Sequence, residues 1–155
     1  MALVVEQSRT VPATADGAFA GTLPLPLPHL FRRWYGPIPP IKEVRDQAGD
    51  WESVGQTRTV LLAGGGSMRE ELTEVDRPRA FGYRLTDITG PLAALAGHVE
   101  GRWQFTPTGT GTTITWSWVI HPRSIVAAPV MPILGWLWKG YARRALAQLA
   151  DLLEN

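Results

Sequence analysis

The chain has 155 residues, with 15 Lys and Arg against 14 Asp and Glu, three His and no Cys. A formal charge of +1 leaves no electrostatic footprint for nucleic acid, and the missing Cys removes disulfides, thiolate nucleophiles and thiolate metal sites. The length suits one domain spanning 1–155, large enough to bury roughly 68–70% of the surface its unfolded form exposes, so neither a staple nor a metal is needed to hold it.

The first nine residues include Glu6 and no apolar run, so no signal peptide is expected. No apolar stretch is long enough for a membrane span, so stable membrane insertion is not expected and the cytoplasm is the default location. Leu3 to Val11 is rich in β-branched residues and reads as a strand that Pro12 ends. Thr14 is the N-cap of a short helix, Ala15 to Ala20. Leu23 to Pro28 (LPLPLP) reads as a stiff extended connector, because each proline disfavours helix at the residue before it. His29 to Trp34 forms a second short helix, stopped by Gly36, Pro37, Pro39 and Pro40.

From Ile41 the texture changes to strands and turns. Ile41 to Asp46 is a strand, and Gln56 to Leu62 and Met68 to Val75 make a hairpin about Gly64-Gly65-Gly66. These glycines lack a following Lys-Ser/Thr and precede a strand, so they are no phosphate loop. Ala80 to Leu85 follows the turn at Asp76-Arg77-Pro78, and a long connection, Asp87 to Gly97, leads on to Val99 to Phe105 and Thr112 to Ile120. Strands in series without intervening helices pair antiparallel, which predicts an α+β fold.

Ile125 to Leu153 is the only long helical pattern. Leu134, Trp138, Tyr141, Ala145, Leu149 and Leu152 recur at steps of three and four. The half up to Tyr141 is bulky (Met131, Leu134, Leu137, Trp138), and the half from Ala145 is Leu and Ala. Such a helix covers a cavity at one end and a core at the other. Pro129 and Pro132 put the start of the regular helix after them and leave Ile125 to Met131 as a flap at the entrance.

Period-two alternation assigns the opposite wall. Ile114, Trp116, Trp118 and Ile120 share the inner face of the last strand; Val99, Gly101, Trp103 and Phe105 that of its partner; Phe81, Tyr83 and Leu85 that of the strand before. In the glycine hairpin Arg58, Val60 and Leu62 share a face with Met68, Glu70 and Leu72. Arg58 and Glu70 are then diagonal cross-strand neighbours, either paired in a partly apolar cavity or solvated at its rim. Seven Trp are unusual for this length and read either as core filling or as a pocket lining.

The three His lie in different elements, with no HxxxH or HExxH spacing, so no metal site or cofactor is expected. His98 reads as a surface residue beside Glu100. His121 ends the last strand, at the mouth of any cavity under the helix, and is a candidate general base. No serine sits in a GxSxG context.

Five stretches carry a family resemblance: VEQSRTVPATADGAF, REELTEVDRPRAFGYRLT, the GxWxFxP pattern from Gly101 to Pro107, GTGTTITWSW and RRALAQLADLLE. Together they resemble the START-like SRPBCC superfamily, most closely its polyketide cyclase/dehydrase and lipid-transport branch. The resemblance implies the helix-grip (START/Bet v 1-like) fold, a seven-stranded antiparallel sheet curved around the C-terminal helix and an apolar cavity. It says little about reaction, because one fold hosts carriers, cyclases and receptors. Members linked to Rieske centres carry their iron ligands in an additional domain and dedicated motifs, and neither is expected here.

Three readings follow, and whether any reaction is catalysed stays open among them. The first is a binder of a hydrophobic small molecule (lipid, polyketide or aromatic), held by Val60, Leu72, Phe81, Tyr83, Trp103, Trp116 and Trp118 on the sheet. Met131, Leu134, Trp138 and Tyr141 complete that set from the helix. The second is a cyclase or aromatase using Arg58, Glu70, Tyr83, Tyr141 or His121 as polar cavity groups. The third is an interaction module, a homodimer through Leu61 or the LPLPLP segment.

Overall fold

The structure is a computed structural model and describes residues 2–154. Seven strands form one antiparallel sheet: β1 (Leu3–Val11), β2 (Ile41–Arg45), β3 (Thr57–Leu62), β4 (Ser67–Asp76), β5 (Ala80–Thr89), β6 (Ala96–Thr108) and β7 (Gly111–Pro122). Their spatial order is β1-β7-β6-β5-β4-β3-β2, so β2 to β7 make a meander and β1 closes the far edge against β7. Helices α1 (Ala15–Thr22) and α2 (Leu27–Leu30) connect β1 to β2, and α3 (Met131–Glu154) ends the described chain. This is the helix-grip architecture.

Local chemistry accounts for most of the boundaries. The Thr14 hydroxyl accepts the Gly17 amide at 3.0 Å and caps α1, which runs two residues beyond the expected end. The expected second helix, His29 to Trp34, instead occupies Leu27–Leu30. Pro28 falls in its first turn, where a missing N–H costs nothing. The connection expected over Asp87 to Gly97 is shorter, because β5 continues to Thr89, β6 starts at Ala96, and only a 3₁₀ turn, Pro91–Ala94, separates them. The residues before α3 form a 3₁₀ turn, Ile125–Val130, with Pro129 inside it, and Pro132 lies in the first turn of α3.

The inner faces are as alternation predicts: Phe81, Tyr83, Leu85, Val99, Trp103, Phe105, Ile114, Trp116 and Ile120 are all buried. The dry core lies under the C-terminal half of α3, where Ala142, Ala145, Leu146, Leu149 and Ala150 are buried. Phe19 of α1 meets the rings of Phe81 and Phe105 edge-on at 5.7 and 5.4 Å. Among the described residues no helix is long and apolar enough to cross a membrane. Ala145 is buried in this packed half, so Ala145→Leu is expected to cost about 1–3 kcal/mol in denaturant unfolding while leaving the N-terminal half of α3 unaltered.

Candidate functional site

Between the concave face of the sheet and the N-terminal half of α3 lies a cavity of about 340 Å³. The strands contribute Val60, Phe81, Tyr83, Trp103, Trp116 and Trp118; α3 contributes Leu134, Leu137, Trp138 and Tyr141. Leu72 and Met131, also expected in the lining, are buried in the core but do not line it. On α3 the residues that line this cavity run from Leu134 to Tyr141.

An aromatic floor organises the cavity. Trp103 stacks on Trp116 at 4.9 Å and 9°, and Trp138 tilts over Trp116 at 4.9 Å. The Tyr83 hydroxyl oxygen accepts from both Trp116 Nε1 (2.9 Å) and Trp118 Nε1 (2.8 Å). Its own hydrogen has no acceptor among the described side chains and stays available. Burial, with the nearby Glu70 charge, pushes the Tyr83 phenol well above its ordinary value, and burial does the same to Tyr141; both stay protonated donors. Tyr83 reaches the indoles because its ring lies flat over Gly101, where any Cβ would collide with it. Close approach, rather than strand curvature, is what requires this glycine.

The polar wall is the Arg58–Glu70 pair. The two residues stand directly opposite each other across β3 and β4, not diagonally as expected. Both line the cavity, at 5% and 4% exposure, and Arg58 Nε donates to Glu70 Oε1 at 2.7 Å. Arg58 Nη1 also donates to Gln47 at 3.2 Å, and its guanidinium lies 4.0 Å over the Trp51 ring. Burial raises the Glu70 pKa by more than the neighbouring Arg58 lowers it.

His121 is misplaced in the expectation. Ile120 faces inward, so His121 faces out, hydrogen-bonded to Glu100 (2.6 Å) and stacked on His98 across the strand pair. It does not line the cavity and cannot act as a base there. Sequence reasoning also missed three lining groups. Leu23, Leu25 and Leu27 of LPLPLP turn into the cavity while Pro24 and Pro26 are exposed, so this connector is a wall; its period-two alternation was the available signal. Trp51, buried from an otherwise polar loop, was legible only as a large apolar residue out of place. Phe31 stacks on Tyr141 at 5.5 Å from a segment whose helix was expected two residues later.

Removing one member of the buried pair strands the other. Arg58→Ala is expected to cost about 3–5 kcal/mol in urea unfolding, and the double change Arg58→Met with Glu70→Leu to recover most of that. A raised Glu70 pKa means that the folded state holds the proton more tightly than the unfolded state. Its contribution is fully present below the ordinary carboxylate value of 4.5 and is lost as pH rises through the raised folded value. Wild-type stability relative to Glu70→Gln should therefore fall as pH rises from 4.5 through the raised folded value and level off above it.

No curated protein matches the chain significantly. Among solved structures, norcoclaurine synthase from Thalictrum flavum is similar at 18% identity and a TM-score of 0.72, covering 99% of this chain and 87% of that one. A Thermus thermophilus protein is similar at 15% identity and a TM-score of 0.71, covering 97% of both chains. A Nitrosospira multiformis protein is similar at 20% identity and a TM-score of 0.64, covering 96% of this chain and 94% of that one. These likenesses establish the fold. The family model described as polyketide cyclase / dehydrase and lipid transport matches residues 2–154, and the chain belongs to that family, within the SRPBCC superfamily.

Proposed function

We propose that the protein binds a hydrophobic small molecule, of the lipid, polyketide or aromatic class, in the cavity between the sheet and α3. The observation that carries this reading is the cavity's chemistry: Trp103, Trp116, Trp118, Trp138 and several leucines surround about 340 Å³, and among the described residues its charge is limited to one self-neutralising pair. Ligand pockets share this pattern of apolar walls and few polar groups. The volume is near the small end of the roughly 300–1,000 Å³ such sites span, so a compact ring system suits it better than a two-chain lipid. Trp138 Nε1 is buried without an acceptor among the described residues, and an oxygen on the ligand would satisfy it. Norcoclaurine synthase was solved with dopamine and hydroxybenzaldehyde, and the proposal carries that ligand size over to this chain.

A second reading, a cyclase-type enzyme, is favoured by one observation. The free Tyr83 hydroxyl hydrogen and the Arg58–Glu70 pair border the same apolar space. There a phenol could stabilise an enolate oxygen and a carboxylate could take a proton from carbon. A homodimer through LPLPLP draws less support, because its leucines are engaged inside the chain.

Native mass spectrometry and organic extraction of gently purified protein test the first reading. A bound apolar molecule is expected, together with quenching of Trp fluorescence by an aromatic probe. Trp138→Leu should raise that probe's Kd about tenfold, equivalent to ~1.4 kcal/mol. Protein that carries nothing and leaves every apolar probe unbound contradicts the proposal. For the enzyme reading, Tyr83→Phe should lower turnover of an accepted polyketone on the order of 10²-fold with probe affinity retained; unchanged turnover rules it out.

A further inference from the structure

We propose that the outer face of β6 and β7 holds a divalent transition-metal ion between His98, Glu100 and His121. His98 and Glu100 are two residues apart on β6 and therefore share a face, and His121 is the register partner of His98 on β7. Their ligand atoms all lie within 4.8 Å of one another. The two imidazoles stand parallel, centroids 4.0 Å apart at 10°, and Glu100 Oε1 is 2.6 Å from His121 Nε2. On the opposite face Val99 and Ile120, the next residues in each strand, are fully buried in the core. The backbone carrying the three side chains is thereby anchored, as a preorganised site requires.

Two imidazoles and one carboxylate form the donor set that Zn²⁺, Co²⁺, Ni²⁺ and Cu²⁺ accept, and a poor one for Ca²⁺ or Mg²⁺, which favour all-oxygen cages. Ligands about 2.1 Å from a tetrahedral ion are about 3.4 Å from one another. Binding requires these atoms, now within 4.8 Å of one another, to close to that spacing, with the parallel rings tilting so that their lone pairs converge. The ion then replaces the direct contact between Glu100 and His121, and its fourth position stays open to water. The site is separate from the cavity, on the other side of the sheet. Two cations border it. Arg84 is the register partner of Glu100 on β5, and Arg123 is two residues beyond His121 with its guanidinium on the Ala93 carbonyl. Arg84 carries the same sign of charge as an ion held beside Glu100, so removing that charge should tighten binding.

The test is calorimetric titration of tag-free, EDTA-dialysed full-length protein with Zn²⁺ at neutral pH, repeated with Cu²⁺ and read by electron paramagnetic resonance. One equivalent should bind at micromolar Kd, and the Cu²⁺ spectrum should show two nitrogen ligands. His98→Ala and His121→Ala should each weaken binding at least about tenfold, Glu100→Gln less, and Arg84→Gln should strengthen it. All four variants should keep the circular dichroism spectrum and the affinity for an apolar probe, because none of these side chains touches the cavity. Absence of binding at millimolar ion, or binding that survives both histidine substitutions, overturns the proposal.

Discussion

A mismatch of widths underlies this structure. Seven strands spaced about 4.8 Å apart make a sheet about 29 Å wide measured along its surface, whereas one helix with its side chains is about 10–12 Å across. A single long helix cannot cover the concave face of such a sheet. The C-terminal half of α3 solves the problem locally with small residues and the help of α1, where Ala142, Leu146 and Phe19 close the gap. The N-terminal half carries Trp138 and Tyr141, whose rings lie 4.9 and 6.2 Å from that of Trp116 on the floor and border the open space. The chain between α1 and β2 then walls the remaining space with Leu23, Leu25 and Phe31 and does not fill it.

Polar groups in that space come at a cost in stability, which gives their presence weight. A buried ion pair is seldom a net source of stability, since desolvating two charges offsets most of their attraction. Arg58 and Glu70 are supported further by Gln47 and by the Trp51 ring, so the pair is held in one geometry rather than merely tolerated. Tyr83 is held in a comparable way: two indoles fix its oxygen, and the absence of a side chain at Gly101 lets the ring lie flat. The apolar cavity thus presents a small number of oriented donors, and specificity in such a site resides in those few groups.

What could be read from the sequence follows from the range of the interactions involved. Alternation from Ile114 to Ile120 and from Val99 to Phe105 reports which face meets the core, because a half-buried strand must alternate locally. The two halves of α3 were legible for the same reason, from side-chain size along one helical stripe. Register was not legible: that Arg58 stands directly opposite Glu70 depends on where the glycine turn between β3 and β4 reverses, and that His121 pairs with His98 depends on a shift between Ala96 and His98, and a linear pattern reveals neither. His121 was misplaced by counting it as the end of a strand rather than as the outward neighbour of Ile120. The LPLPLP segment was misread because proline punctuation concealed an apolar face, and α2 because proline is permitted in a first helical turn.

The central claim is that the space under the first half of α3 receives an apolar molecule. Indole resonances in a ¹H–¹⁵N spectrum, followed while a small aromatic compound is titrated in, test it most directly, because the Trp side chains sample both sides of the helix. The account predicts that Trp116, Trp118 and Trp138 shift together while Trp136, exposed on the outer face of α3, does not move. Shifts confined to Trp136, or no shifts at saturating compound, would contradict it.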